Sequence, residues 1–177
     1  FTIWDEARAR FERDRVTHEH LKLLAQSPDD PLRLLLDEFG WKRLVITLSQ
    51  SLAQRWKMRA ALQESADTLG SAYRHLYESV AQAYQSHKEI NAALDFEDLE
   101  ERALSLLEDV RVRSKLQDRF RHVLVDEYQD VSHPQHELVH KLHSSGSNRL
   151  IVVGDPRQSI YRFRGADFSC FQNTREQ

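Results

Sequence analysis

With 177 residues, of which 40% are hydrophobic and 30% charged, the chain carries enough apolar material to form a globular core. Its start lacks the pattern of a signal peptide, no apolar run reaches the roughly 18 residues of a membrane helix, and the single Cys170 excludes an internal disulfide. We therefore expect a cytoplasmic protein without a membrane partner, and the net charge of −3 means that any contact with nucleic acid has to be local.

Residues 1–120 have the three- and four-residue periodicity of amphipathic helices. The predicted helices cover residues 3–24, 32–39, 44–62, 69–92 and 99–110, with one more short helix that ends near Phe120. The turn-forming segment 27–31 ends the first helix, and Gly40 ends the second. The long apolar stripe of residues 69–92 is typical of a core-facing helix, so we assign it no ligand-binding role.

The pattern changes after residue 120. Two short apolar runs, 123–125 and 150–153, are each followed by an acidic loop, the first by Asp126-Glu127 and the second by Gly154-Asp155. Residues 135–143 between them have helical character. This order predicts two parallel strands joined by a crossover helix, with both acidic loops at the carboxyl edge, where ligands of such sheets gather.

Asp126 and Glu127 suit the chemistry of phosphoryl transfer. One carboxylate at a strand end can anchor Mg²⁺, and its neighbour can orient or deprotonate an attacking water. An apolar strand that ends in Asp-Glu also fits an ordinary solvated loop, so the surrounding sequence has to decide between the two interpretations.

That surrounding sequence resembles one helicase group. Residues 123–130 (Val-Leu-Val-Asp-Glu-Tyr-Gln-Asp) resemble the second helicase motif of the UvrD/Rep group, and residues 153–167, which begin Val-Gly-Asp-Pro-Arg-Gln, resemble the third. Residues 93–99 (Ala-Leu-Asp-Phe-Glu-Asp-Leu) are similar to the segment that leads back into the motor domain. The sequences of segments 95–100 and 154–161 resemble the AddA/RecB helicase–nuclease branch more than the other members of the group.

The resemblance implies an α/β fold: part of a P-loop NTPase (RecA-like) parallel sheet with a large all-helical insertion subdomain. Residues 1–92 would form a helical 1B-like subdomain, and residues 93–177 part of the 1A motor domain with motifs II and III. The implied activity is ATP-dependent 3′ to 5′ DNA unwinding in repair or recombination. ATP and Mg²⁺ are the implied cofactors, and single-stranded DNA, duplex ends and a subunit of a helicase–nuclease complex are the implied partners.

The resemblance also assigns roles in nucleotide hydrolysis. Asp126 would hold Mg²⁺ and Glu127 would activate water. Gln129 and Asp130 would support the nucleotide-binding loop and couple it to neighbouring motifs. Gln158 would sense the γ-phosphate, because an amide can hydrogen-bond to a phosphate oxygen and lose that bond upon hydrolysis.

Three further residues of the third motif are implied to contact DNA. The aromatic rings of Tyr161 and Phe163 would stack on bases of any sequence, and Arg164 would support that region through phosphate or carboxylate contacts. Core packing is the ordinary role of an aromatic pair, and the DNA-contact assignment depends on the motif around it.

The nucleotide-cradling loop of the group is missing from this sequence. Such a loop needs a Gly-Lys pair, and none of the 5 glycines is followed by lysine. We therefore interpret the chain as a piece of a longer protein and expect that it neither hydrolyses ATP nor unwinds DNA by itself.

Two other functions fit parts of the sequence. The run His136-Glu137-Leu138-Val139-His140 spells the His-Glu-x-x-His pattern of zinc peptidases, but neither usual form of the third ligand follows it. A non-catalytic module that binds single-stranded DNA or a partner is the other alternative. Its candidate surfaces are a basic sector of the first helix and a basic-aromatic patch, which comprise Arg8, Arg10, Arg13 and Arg15, and Arg55, Trp56, Lys57 and Arg59.

Overall fold

The computed structural model describes residues 1–65, 67–143, 146 and 148–155. The chain divides into two compact units, Phe1–Glu97 and Asp98–Gln177. The elements of the first unit are β1 (Thr2–Ile3), α1 (Glu6–Leu24), α2 (Asp30–Leu52), α3 (Arg55–Glu64), α4 (Thr68–Ile90) and β2 (Ala93–Leu94). Those that follow are α5 (Phe96–Glu108), α6 (Val110–Arg119), β3 (His122–Val125), a 3-10 turn (Tyr128–Asp130), α7 (His133–Leu142) and β4 (Arg149–Val152).

The described part of the chain is therefore mostly helical, with two small parallel sheets. None of the helices in the described ranges is long and apolar enough to cross a membrane. The helical first half and the strand, helix, strand order of the second half confirm the coarse α/β prediction.

Aspartates begin three helices of the first unit. The side chains of Asp5, Asp29 and Asp67 accept hydrogen bonds from backbone amides in the first turns of α1, α2 and α4, at 2.8, 2.9 and 2.6 Å. An N-cap of this kind stabilises a helix by about 1 kcal/mol. The starts of α1, α2 and α4 are thus indicated by local sequence.

The core of the first unit lies where α1, α2 and α4 pack together. The most deeply buried large apolar side chains are Leu21, Leu32, Leu35, Leu44, Leu48, Leu52, Val80 and Tyr84, each no more than 1% exposed. Full burial of one such apolar side chain is worth about 1.5–3 kcal/mol, so this cluster is the main source of stability.

Two helix boundaries differ from the prediction. Gly40 interrupts α2, with φ +69°, as predicted. The single helix predicted over 44–62 is wrong, because α2 ends at Leu52 and α3 begins at Arg55. The break coincides with tertiary contacts of Arg55, whose backbone amide donates to Glu97 Oε2 at 3.1 Å. Helical periodicity alone contains no signal for such a contact.

The start of the chain was also predicted wrongly as helix. Thr2 and Ile3 pair in parallel with Ala93 and Leu94, and α1 begins only at Glu6. Ile3 is 55% exposed and therefore does not continue the apolar face of α1. A two-residue strand whose partner is distant in sequence leaves no recognisable periodicity.

Glu12 is a buried carboxylate that joins α1 to α4. Its carboxylate accepts from Arg8 at 2.6 Å, from Arg15 at 2.8 Å and from His87 at 3.0 Å. Burial by itself would raise the pKa of Glu12, but the hydrogen bond and charge of Arg15, the charge of Arg8 and the hydrogen bond of His87 hold that pKa below its ordinary value.

We expect Glu12→Gln to lower the free energy of unfolding at pH 7 by about 2 kcal/mol, because the charge-assisted hydrogen bonds of a buried carboxylate are lost. Since the folded-state pKa is depressed, the contribution of Glu12 is complete above the ordinary carboxyl pKa of 4.5 and disappears as the pH falls through the folded value. The difference between variant and parent should therefore shrink as the medium becomes acidic.

Urea unfolding followed by tryptophan fluorescence tests this, because all 3 tryptophans lie in the first unit. The matched control is Glu19→Gln, since Glu19 also pairs with Arg15 but is exposed to solvent. An equal loss in both variants, or a loss at pH 7 that persists unchanged in acid, would contradict the assignment.

The second unit has the predicted strand, helix, strand order. β3 and β4 are parallel, with His122 opposite Arg149 and Val125 opposite Val152. The intervening α7 begins at a capping box. The Ser132 hydroxyl oxygen accepts from the backbone N–H of Gln135, and the side-chain oxygen of Gln135 accepts from the backbone N–H of Ser132. The capping box thus fixes the first turn of α7, which directly follows the loop after β3.

Candidate active site

The two acidic loops meet at the carboxyl edge of β3 and β4, as the strand order predicts. Val153 N donates to Val125 O at 2.9 Å, and Tyr128 N donates to Val153 O at 2.9 Å. The loop that follows β3 is thus hydrogen-bonded to the end of β4. The carboxyl edge of a parallel sheet is where α/β proteins place their ligands.

Asp126 and Glu127 lie at this edge with exposed side chains. Asp126 Oδ1 accepts from the Glu127 amide at 2.9 Å, which leaves the rest of its carboxylate open to solvent. Glu127 has the left-handed backbone conformation, with φ 50° and ψ 42°, which costs a residue with a side chain about 1–2 kcal/mol. Such a conformation persists only where neighbouring contacts hold it.

Gln129 connects the two loops. Its side chain is almost completely buried, its Nε2 donates to Glu127 Oε2 at 2.6 Å, and its Oε1 accepts from the Asp155 amide at 2.9 Å. One amide group thus orients the Glu127 carboxylate and ties it to the loop after β4.

Asp130 closes the turn that carries these residues. Its amide donates to Glu127 O at 2.9 Å, while its buried Oδ1 has no hydrogen-bond partner among the residues that the structure describes. The other predicted site residues, Gln158, Tyr161, Phe163 and Arg164, lie outside the described residues.

The donor set fits a hard divalent cation. Mg²⁺ is usually held by one or two carboxylates and keeps several of its waters, and the consecutive residues Asp126 and Glu127 are both exposed at the sheet edge. Asp126 is therefore the candidate ligand for Mg²⁺, and Glu127 is the candidate residue to act on water.

The zinc-peptidase pattern forms a histidine pair and nothing more in the described ranges. His136 and His140 lie one turn apart on α7, with ring centroids 4.3 Å apart. Burial, followed by the charge of His143, lowers the pKa of His140. Among the described residues, no three His, Cys, Asp or Glu side chains are grouped so that they could hold a metal.

His136 instead contacts the acidic turn, a role that was not predicted. Its Nδ1 is hydrogen-bonded to Tyr128 Oη at 2.8 Å, and Tyr128 is completely buried. The signal for this contact in the sequence was only a polar side chain one helical turn into α7.

The basic surfaces of the alternative DNA-binding module are partly occupied by ion pairs. Arg13 is 4% exposed and pairs with Glu6 at 2.7 Å, so it belongs to the interior and not to a basic face. Arg55 is 6% exposed and pairs with Asp95 at 3.0 Å. These two arginines were wrongly predicted to lie on an open surface, because formal charge says nothing about burial.

These features define the class of protein. It is an α/β protein in which a helical unit precedes two parallel strands, and two carboxylates at the carboxyl edge of the strands form a candidate phosphoryl-transfer site. Residues 1–177 match the family model described as "UvrD/REP helicase N-terminal domain". The chain belongs to that family, as the resemblance of its two motifs predicted.

Curated relatives of the chain include helicase/nuclease subunits and a DNA helicase. The chain is 46% identical over 94 residues to an ATP-dependent helicase/nuclease subunit from Latilactobacillus sakei, a match that covers 52% of this chain and 11% of that protein. It is 39% identical over 129 residues to the "ATP-dependent DNA helicase UvrD1" of Mycobacterium bovis, with 69% of this chain and 16% of that protein covered.

An ATP-dependent helicase/nuclease subunit from Streptococcus pneumoniae is 39% identical over 104 residues, which cover 58% of this chain and 8% of that protein. The matches thus span between 8% and 16% of the length of these relatives. The names of all three relatives describe ATP-dependent helicases.

Proposed function

We propose that this chain is part of an ATP-dependent DNA helicase in which Asp126 and Glu127 serve ATP hydrolysis. The observation that carries the proposal is the pair of accessible carboxylates at the edge of two parallel strands, in a chain that matches the helicase family over its whole length. Positioned carboxylates and a metal ion are the recurring parts of phosphoryl-transfer sites.

In this proposal, each side chain at the edge has one task. Asp126 is the residue that holds Mg²⁺, which neutralises phosphate charge when it is bound. Glu127 accepts the proton of the attacking water, and Gln129 orients the Glu127 carboxylate through the 2.6 Å hydrogen bond. Asp130 and Gln158 complete the nucleotide-binding set, with Gln158 at the γ-phosphate.

The proposal extends to fold and DNA contacts. Residues 1–92 would be a 1B-like helical subdomain and residues 93–177 part of a P-loop NTPase 1A domain. Tyr161, Phe163 and Arg164 would contact single-stranded DNA. Support comes from the family match and from the third motif itself.

The AddA-like branch of the family is the finer assignment we favour. Two of the three relatives above are helicase/nuclease subunits, and such a name implies an assembly for those proteins. By that likeness, the whole protein would work in the cytoplasm on duplex ends in repair or recombination, move 3′ to 5′ and associate with a partner protein.

The test uses the full-length protein that contains this sequence. We expect Mg²⁺-dependent ATP turnover that single-stranded DNA stimulates, together with unwinding of a duplex that has a 3′ single-stranded tail. The 177-residue chain by itself should show neither activity. ATP turnover by the isolated chain, or a full-length protein with no DNA-stimulated turnover, would overturn the proposal.

A further inference from the structure

The backbone at Glu127 adopts a conformation that needs support from its surroundings. The left-handed conformation at φ 50° is unfavourable for a residue with a side chain, and it persists only where the surrounding structure fixes it. The next residue along the chain is Tyr128, which links Glu127 to the buried part of the turn.

Tyr128 is anchored at both of its ends. Its backbone amide donates to Val153 O at 2.9 Å, at the end of β4, and its hydroxyl is hydrogen-bonded to His136 Nδ1 at 2.8 Å, on α7. Tyr128 itself is 0% exposed. These two hydrogen bonds hold the residue that directly follows Glu127.

The helix that carries His136 is itself well fixed. The capping box of Ser132 and Gln135 sets its first turn, and Gln135 Nε2 also donates to Glu100 Oε1 at 2.7 Å. Lys141, in the last turn of α7, pairs with Glu108 at 2.8 Å. His136 therefore holds Tyr128 from a helix that is tied to α5 near both of its ends.

We propose that His136 is a positioning residue for ATP hydrolysis, which acts on Glu127 through the hydroxyl of Tyr128. The inference rests on the proposed function, because it requires that Glu127 acts on the attacking water. His136 itself is assigned no contact with nucleotide or metal. His136 thereby has a role in holding the acidic turn, and a zinc-peptidase site is not needed to explain a histidine at this position.

Substitutions at each end of the hydrogen bond test the proposal in the full-length protein. Tyr128→Phe removes only the hydroxyl, and His136→Leu removes the ring nitrogens. Each change should lower kcat for ATP about three- to tenfold, which corresponds to one net hydrogen bond, with KM for ATP and affinity for single-stranded DNA unchanged. The double variant should be no slower than either single variant, because both remove the same interaction.

A rescue variant separates positioning from helix stability. In His136→Asn the side-chain amide reaches the place of Nδ1 and can again bond to the Tyr128 hydroxyl, so its kcat should approach that of the parent. Leucine is the better helix former, so an effect through the stability of α7 would favour His136→Leu instead. His133→Leu, on an exposed residue of the same helix, is the matched control and should leave kcat unchanged.

The outcomes also separate this inference from the proposed function. If Glu127→Gln abolishes turnover while Tyr128→Phe and His136→Leu keep kcat within about twofold of the parent, well short of one hydrogen bond, the positioning role is wrong and the function stands. If Glu127→Gln leaves turnover intact, the proposed function itself fails. A His136→Asn variant that is no faster than His136→Leu would also overturn the positioning role.

Discussion

Glu127→Gln in the full-length protein should lower kcat for ATP by about 10²–10⁴-fold, the usual contribution of a positioned general base. The amide keeps the size of the side chain and retains an oxygen that can accept the hydrogen bond from Gln129 Nε2, which lies 2.6 Å from Glu127 Oε2 in the parent. The geometry of the turn should therefore survive while the basicity is lost. KM for ATP should change little, because the substitution acts on the chemical step.

Steady-state ATP turnover with saturating single-stranded DNA measures this effect, and equilibrium binding of ATP and of DNA shows that the variant is otherwise competent. Glu137→Gln is the matched control, since Glu137 is a glutamate of α7 that pairs with Lys141 at 3.5 Å. It is also the residue that would act as the base of a zinc peptidase. A large loss from Glu137→Gln with little loss from Glu127→Gln would reverse the functional assignment.

The features that could be predicted from the sequence are those with a local chemical cause. Gly40 interrupts α2 because it adopts φ +69°, and the apolar runs that became β3 and β4 are short, β-branched and followed by acidic loops. Their parallel pairing follows from the connecting helix. Hence the placement of Asp126 and Glu127 at one edge required no knowledge of the folded chain.

The features that could not be predicted depend on partners far away in sequence. Arg55 looked like part of a basic patch, yet it is buried against Asp95. Thr2 pairs with Ala93 across almost the whole length of the first unit. The hydrogen bond between His136 and Tyr128 is close in sequence, but a metal-binding pattern gave the same histidine another plausible partner. Residue type thus indicated the chemistry, and only packing showed which partner each group took.

Asp95→Ala should be the most destabilising of the substitutions considered, with a loss of about 3–5 kcal/mol in the free energy of unfolding. The Asp95 carboxylate is 2% exposed and accepts from both terminal nitrogens of Arg55 at 3.0 Å, from Tyr84 Oη at 3.1 Å and from Lys88 Nζ at 3.4 Å. Burial, together with the charge of Asp95, raises the pKa of Tyr84, so its hydroxyl stays protonated and donates.

The large effect follows from what the substitution leaves behind. Arg55 is 6% exposed and Lys88 is 1% exposed, so without Asp95 two cations remain buried with much less compensating charge. A typical domain is stable by only about 5–15 kcal/mol, so a loss of this size removes a large share of the total. Tryptophan fluorescence during urea unfolding reports it directly, because Trp56 follows Arg55 and all 3 tryptophans lie in the first unit.

A second substitution distinguishes lost charge balance from a simple cavity. Adding Lys88→Met to Asp95→Ala removes one of the two buried cations that lost Asp95 as a partner and keeps an apolar side chain in its place, so the double variant should be more stable than Asp95→Ala alone. Glu97→Gln, at a more exposed carboxylate 3.3 Å from Arg55 Nε, should cost much less than Asp95→Ala. If Lys88→Met deepened the loss instead, packing around Asp95 and not its charge would hold α3, α4 and β2 together.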